Sequence, residues 1–82
     1  MELVLYYRPT CPYCVKVFHQ LEANNITIPM VNISEDPRYK EELKEKGGKV
    51  QVPCLMKDGK ALYESDLIIE WIIRHKDEIN CL

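Results

Sequence analysis

The sequence predicts an α/β fold in which one mixed β-sheet carries helices on both faces. Three observations predict it: an apolar run at residues 3–7 precedes a helical pattern, a second apolar run follows that helix, and Asp58-Gly59 separates two further apolar runs. A strand–helix–strand unit predicts a parallel pair with a right-handed crossover, whereas an Asp-Gly turn joins antiparallel strands. The predicted order is therefore β-α-β-α-β-β-α, with four strands in the sheet.

The first strand and helix meet at a proline. Residues 3–7 are apolar without alternation, as expected of a central strand that is buried on both faces. Residues 12–24 follow the helical period, and Pro12 suits the first helical position because its missing N–H would have no partner there. The same period predicts that Phe18 faces the sheet.

The second strand, predicted at residues 26–33, belongs at an edge, because Pro29 cannot donate to a strand ladder. Asp36 is then predicted to cap a charged second helix, with Pro37 in its first turn and Gly47 at its end. These elements complete the parallel half of the sheet.

The second half of the chain predicts a hairpin and a closing helix. Residues 54–56 and 61–63 flank the Asp-Gly turn. Ser65 is predicted to cap the final helix, whose apolar face includes Trp71.

Size and charge limit the possible functions. Eighty-two residues predict one domain, spanning residues 1–82. The net charge of −2 at pH 7 gives no reason to expect nucleic acid as a partner. No apolar run approaches the roughly eighteen residues of a membrane span, and residues 1–4 lack the basic start of an export signal. We therefore expect a monomeric cytoplasmic domain with no membrane partner.

The four cysteines favour a redox pair. Cys11 and Cys14 lie one turn apart where the first strand meets the first helix. A secreted disulfide framework would need an export signal, and a zinc site would need a second pair of ligands at similar spacing. A redox pair without a metal is the favoured hypothesis. Cys54 is expected to be a buried apolar thiol, and Cys81 to lie in a frayed tail.

Cys11 falls at the N-cap of the predicted helix, so its sulfur can accept hydrogen bonds from the N–H of Tyr13 or Cys14. Lowering a thiol pKa from about 8.5 to about 6 requires roughly 3.4 kcal/mol, whereas a helix dipole supplies at best ~2 kcal/mol. Direct N–H donation and the charge of Arg8 must supply the rest. Because nucleophilicity falls with pKa, attack gains only about twofold, and Cys11 benefits chiefly as a leaving group.

The motifs together resemble those of the glutaredoxins, the glutathione-using branch of the thioredoxin-like fold. The resemblance rests on Cys-Pro-Tyr-Cys at residues 11–14, on a Val-Pro pair before the hairpin, and on the closing helix. Arg8 stands where glutaredoxins carry a basic residue that meets glutathione. Residues 48–53 align with the family's Gly-x-x-Thr-Val-Pro, and Ser65-Asp66 falls where the family caps its last helix.

Two positions depart from the glutaredoxin pattern. Gln51 replaces the usual Thr, and Tyr63-Glu64 stands where a Gly-Gly pair is usual. Glu64-Ser65 is instead similar to the glutathione-binding turn of the glutathione transferase N-terminal domain, as are residues 49–53. Both variants of the fold hold glutathione at the same place, so the cofactor expectation is unchanged.

The resemblance implies a glutathione-dependent thiol–disulfide oxidoreductase that reduces protein disulfides and glutathione mixed disulfides. Cys11 would be the nucleophile and Cys14 the resolving thiol. The expected partners are glutathione, as reductant and co-substrate, and disulfide-containing or glutathionylated proteins. The site is expected to bind no metal.

The resemblance also implies how glutathione lies. Its cysteine would pair with the backbone of Val52, before a cis bond to Pro53. Its glycine carboxylate would lie near Arg8, and its γ-glutamyl carboxylate at the start of the last helix. Lys49, Lys40 or Lys44 would add a further charge. The candidate glutathione-binding residues are Arg8, Tyr13, Gln51, Val52, Pro53, Glu64, Ser65 and Asp66.

Other functions stay open at this point. An iron–sulfur or zinc carrier would use Cys11 as a ligand. A glutathione-binding module of the transferase type would bind glutathione without dithiol turnover. A thioredoxin-type enzyme recycled by a flavoprotein reductase would be active without glutathione.

Overall fold

The structure is a computed structural model that describes residues 2–80. It confirms the predicted order of elements and adds a short fourth helix at the end. The elements are β1 (Leu3–Tyr7), α1 (Pro12–Ala23), β2 (Met30–Asn32), α2 (Pro37–Gly47), β3 (Cys54–Lys57), β4 (Lys60–Tyr63), α3 (Ser65–Arg74) and α4 (Lys76–Asn80). None of the described helices is long and apolar enough to cross a membrane.

The four strands form one mixed sheet in the order β2-β1-β3-β4. β1 is parallel to β2 and antiparallel to β3, and β3 is antiparallel to β4. Asp58 and Gly59 form the tight turn of the hairpin with positive φ values of 47° and 83°. Such a turn matches the twist of the strands that it joins. The predicted parallel unit and the predicted hairpin are both confirmed.

β2 is an edge strand, as predicted, but it is shorter than residues 26–33. Pairing with β1 covers only Met30–Asn32. Pro29 lies just before the strand, where its carbonyl accepts a hydrogen bond from the Leu5 N–H at 2.9 Å. Because Pro29 has no N–H to give, the ladder starts after it.

Helices cover both faces of the sheet. α1 and α3 lie on one face, where they pack on β1 and β3 around Leu5 and Leu55, both fully buried. α2 lies on the other face and buries Leu43 against Tyr6 and Cys54. The chain therefore has an apolar cluster on each side of β1, which explains why β1 is apolar throughout.

The inward face of α1 differs slightly from the predicted one. Cys14, Val17 and Leu21 are the buried residues of the helix. Phe18 lies at the flank of this face, half-buried, with its ring edge-on to Tyr7 at 5.0 Å between centroids. Burial of Cys14 follows directly, because it shares a face with the core residue one turn later.

Candidate active site: the thiol pair

Cys11 lies at the N-cap of α1, as predicted. Its backbone is extended, with φ −79° and ψ 120°, and its carbonyl accepts the first helical hydrogen bond from Val15 N–H at 3.0 Å. The Cys11 N–H donates to the Arg8 carbonyl at 3.2 Å, which closes a turn between β1 and α1. The side chain is therefore held at the mouth of the helix, where backbone N–H groups lack helical partners.

Several groups together favour the thiolate of Cys11. Partial burial disfavours the charged form, but donation from the backbone N–H and thiol of Cys14, from the backbone of Tyr13, and the charge of Arg8 outweigh it. The pKa of Cys11 is therefore held below that of an ordinary thiol. The sulfur makes no regular capping hydrogen bond, so several weak interactions stabilise it rather than one strong bond.

Cys14 has the opposite environment. It is fully buried on the inner face of α1. Burial raises the pKa of its thiol to about 11, and Cys11 adds to the rise while Arg8 opposes it. At neutral pH the pair therefore consists of one accessible thiolate and one shielded thiol, which is the asymmetry that a nucleophile and a resolving thiol need.

The strand register brings the other predicted residues to the same edge of the sheet. Tyr6, Cys54 and Tyr63 form one row across β1, β3 and β4. The chain that leaves β1, the chain that enters β3 and the chain that leaves β4 therefore meet at that edge. These segments carry the predicted residues Arg8, Gln51, Val52, Pro53, Glu64, Ser65 and Asp66, and Tyr13 lies with Cys11 at the start of α1.

The predicted residues differ in exposure. Tyr13 has 64% of its surface exposed, which is the most among the large apolar side chains. Arg8, Gln51 and Val52 are half-buried, and Pro53 is buried. The Val52–Pro53 peptide bond is cis, as predicted.

The start of α3 corrects the prediction that Ser65 is the cap. Glu64 occupies the N-cap position and Ser65 is the first helical residue. Glu64 adopts a positive φ of 73°, and its carbonyl accepts the first helical bond from Ile68 N–H at 3.0 Å. The positive φ turns the chain from β4 directly into the helix, so no intervening cap residue is needed. The Glu64 side chain makes no capping hydrogen bond, and the first N–H groups of α3 are left without a side-chain partner.

Two residues near the site were not predicted from the sequence. Lys16 of α1 forms an ion pair with the carboxylate of Asp66 in α3. Tyr63 donates a hydrogen bond to the Lys49 carbonyl at 3.0 Å. The signal for Lys16 was its position one turn beyond Cys11, and that for Tyr63 was its place where a small residue is usual.

Cys54 is fully buried, as predicted. Burial raises the pKa of its thiol, against smaller lowering effects from Tyr63, Leu62 and Lys49. It is a free thiol, as are Cys11 and Cys14. The predicted tail cysteine, Cys81, lies outside the described residues.

A cavity of about 750 Å³ lies away from these residues. It is lined by the start of β1, the end of β3 and the Asp58-Gly59 turn, so it lies at the opposite edge of the sheet. It contains neither thiol and none of the predicted glutathione-binding residues.

Comparison with known proteins decides the family. The profile of the Glutaredoxin family matches residues 3–62. The chain belongs to the glutaredoxin family. It is similar to an uncharacterised glutaredoxin-like 8.6 kDa protein of the rubredoxin operon of Clostridium pasteurianum, with 32% identity over 71 residues, covering 80% of this chain and 95% of that protein.

Solved structures give the same fold. This glutaredoxin is similar to glutathione transferase Omega 3C from Trametes versicolor, with a TM-score of 0.75 and 28% identity. The match covers 96% of this chain but 35% of the transferase, so the chain spans about a third of that protein. It is also similar to the holo form of glutaredoxin C1 from Populus tremula x tremuloides, with a TM-score of 0.69 and 22% identity over 89% of this chain and 75% of that one.

Family and fold support a role of the thiol–disulfide oxidoreductase type. The thioredoxin-like fold expected from the sequence is confirmed by these neighbours. Within residues 2–80, no three His, Cys, Asp or Glu side chains are grouped so that they could hold a metal ion.

Proposed function

We propose that this chain is a glutathione-dependent thiol–disulfide oxidoreductase that reduces glutathione mixed disulfides and protein disulfides. One observation carries the proposal: two thiols one turn apart at the start of α1 are pushed to opposite protonation states. The pKa of Cys11 is lowered, and that of Cys14 is raised to about 11. Cys11 is partly exposed, and Cys14 is buried.

Cys11 carries the exchange with a glutathione mixed disulfide. Its thiolate attacks one sulfur of the substrate disulfide, a new S–S bond forms at Cys11, and the other sulfur leaves as a thiolate that takes a proton from water. Cys11 is then released when the thiolate of a second glutathione attacks the sulfur bonded to it, which yields glutathione disulfide. The same interactions that lower the pKa of Cys11 make it a good leaving group in this second step.

Cys14 adds the dithiol route for protein disulfides. After Cys11 has attacked a protein disulfide, Cys14 loses its proton and attacks Cys11, forming the Cys11–Cys14 disulfide and freeing the second protein thiol. Two glutathione molecules then return the pair to two thiols and leave as glutathione disulfide. Because Cys14 is buried and protonated at neutral pH, it attacks Cys11 rather than external disulfides.

The residues around the pair fit the charges of glutathione. Arg8 supplies a cation beside Cys11 for one carboxylate. The uncapped start of α3 supplies free N–H groups for the other. Asp66 would meet the ammonium group, but in this structure Asp66 is paired with Lys16, so the ligand must displace an exposed ion pair, which is a weak one.

The comparisons also favour glutathione as the ligand. A glutathione transferase is among the similar structures, with 28% identity to this chain. That likeness keeps a second candidate function, a glutathione-binding module without dithiol turnover, because Glu64-Ser65 forms the turn at which the transferase-like motif was recognised.

Single-cysteine variants test the proposal. Cys14→Ser is expected to keep glutathione-coupled turnover of a small glutathione mixed disulfide and to lose reduction of protein disulfides. Cys11→Ser is expected to lose both. Cys54→Ala is the matched control, because it removes a buried thiol outside the pair and should change either activity by less than about twofold.

The outcomes separate the candidates. Glutathione binding without turnover in the wild-type protein would favour the binding module. Turnover without glutathione, driven by a flavoprotein reductase, would contradict the proposed reductant. Colour in freshly purified protein that disappears in Cys11→Ser would favour the metal-cluster carrier.

A further inference from the structure

Residues 49–53 form a segment that lies beside the thiol pair and has no regular secondary structure. The segment joins the end of α2 to the start of β3. It contains three of the predicted glutathione-binding residues, Gln51, Val52 and Pro53. A ligand that pairs with the backbone of Val52 requires this segment to be held in one position, because a mobile segment must be ordered when the ligand binds.

Tyr63, at the end of β4, contacts both ends of this segment. Its hydroxyl donates to the Lys49 carbonyl at 3.0 Å, and the Lys49 ammonium lies 4.5 Å from the centre of its ring. Its backbone lies opposite Cys54, the residue that follows the segment. Over residues 2–80, the bond from Tyr63 is the one hydrogen bond that connects residues 49–53 to other elements.

The neighbouring glycine is required for this contact. A Cβ atom at Gly47 would clash with the Tyr63 hydroxyl, whereas the other atoms around it lie at ordinary contact distance. Gly47 is the last residue of α2 and does not have a positive φ. Glycine is therefore needed at this position for space rather than for backbone conformation.

We propose that Tyr63 is a positioning residue that fixes residues 49–53 and thereby sets the affinity for glutathione-containing disulfides. This inference rests on the proposed function and deepens it. Tyr63 acts on the segment that would pair with the ligand, whereas the groups that act on the Cys11 sulfur belong to α1 and to Arg8. Loss of the hydroxyl should therefore change binding and leave the chemistry of the thiolate intact.

Tyr63→Phe is the direct test, because it removes the hydroxyl and keeps the ring under Lys49. The loss of one hydrogen bond is expected to raise KM for a glutathionylated peptide about 3-fold to 10-fold. The kcat and the pH dependence of Cys11 alkylation should stay at the wild-type values. Tyr39→Phe is the matched control, since Tyr39 packs against the same apolar cluster and its hydroxyl has no hydrogen-bond partner in residues 2–80. It should change none of these quantities.

A double-mutant cycle with Gly47→Ala adds a specific signature. In the wild-type background Gly47→Ala should raise KM, because the new methyl group displaces the Tyr63 hydroxyl. In the Tyr63→Phe background that atom is absent, so Gly47→Ala should have little further effect. This non-additivity distinguishes a specific contact from a general loss of stability, for which the two changes would add.

Hydrogen exchange separates the failure of this inference from the failure of the proposed function. The amides of Val50, Gln51 and Val52 should exchange faster in Tyr63→Phe than in Tyr39→Phe, with or without glutathione. Unchanged exchange, or a wild-type KM in Tyr63→Phe with an active enzyme, would overturn the positioning role. If the wild-type protein shows no turnover of glutathione mixed disulfides, the proposed function fails, and the effect of Tyr63 on affinity fails with it.

Discussion

Cys11 and Cys14 show how the position of one residue in the fold sets its chemistry. Both are thiols, and they lie three residues apart on the same helix. Cys11 lies before the first turn and receives N–H groups and the charge of Arg8, whereas Cys14 points into the core. A helix start beside a sheet edge therefore produces a thiolate and a thiol from the same side chain without an external base.

At this scale we predict the pH dependence of Cys11 alkylation. The rate at which iodoacetamide modifies Cys11 in Cys14→Ser should inflect below the pH at which an ordinary thiol ionises, because the folded protein lowers the pKa of Cys11. Arg8→Gln should move the inflection upward, since it removes a favourable charge.

Arg38→Gln is the matched control for that experiment. Arg38 is an exposed arginine whose ion pair is with Asp36, at the start of α2, and it does not act on Cys11. Its substitution should leave the inflection unchanged. An inflection at the ordinary thiol value in the parent protein would contradict the thiolate assignment.

The elements followed the sequence wherever the deciding interactions are local. The cap at Asp36 was predicted from residues that are neighbours in the chain, and its carboxylate accepts from Arg38 N–H at 2.9 Å. The Asp58-Gly59 hairpin was predicted in the same way. The burial of Phe18 was overestimated, because the helical period alone did not distinguish its flank from the face that Val17 occupies.

Features that depend on distant residues could not be predicted. The ion pair of Lys16 with Asp66 joins residues that are fifty positions apart. The conformation of Glu64 at the start of α3 depends on where β4 ends in the sheet. The edge where the candidate residues meet follows from a strand register that no single segment specifies, although the motifs of the family identified most of its members.

The end of α2 gives a prediction at the element scale. Gly48 has a left-handed φ of 89°, and its N–H donates to the Lys44 carbonyl at 2.8 Å. A Cβ there would meet no other atom within 4 Å, so Gly48→Ala tests backbone conformation alone. We expect a loss of about 1 kcal/mol in the free energy of unfolding, measured with urea. Gly48→Asn should lose less, because asparagine tolerates this conformation. Equal losses would argue against the left-handed cap.

For the whole molecule, the sheet determines where ionisable sulfur lies. The central strands β1 and β3 are covered on both faces, so Cys54 is sealed in the core, and Cys14 is sealed beneath α1. The folded state of the reduced protein must keep these thiols protonated, while it also holds Cys11 ionised. Its stability therefore depends on pH through groups that lie in the centre of the domain.

The sign of each contribution gives the final prediction. The folded pKa of Cys11 is lowered, so its contribution to stability is present at alkaline pH and is lost as pH falls through that folded pKa. The folded pKa of Cys14 is about 11, above the unfolded value of about 8.5. Its contribution is therefore complete at neutral pH and is lost as pH rises between those values, because the unfolded chain releases the proton first.

Urea unfolding of the reduced protein between neutral and alkaline pH measures this effect. The free energy of unfolding of the wild-type protein should fall across that window, and Cys14→Ala should fall less steeply. Other groups with raised pKa values, including Cys54 and Tyr6, contribute equally to both proteins, so the difference between the two slopes isolates Cys14. Parallel slopes would mean that the Cys14 thiol ionises as easily in the folded protein as in the unfolded chain, which its burial beneath α1 does not permit.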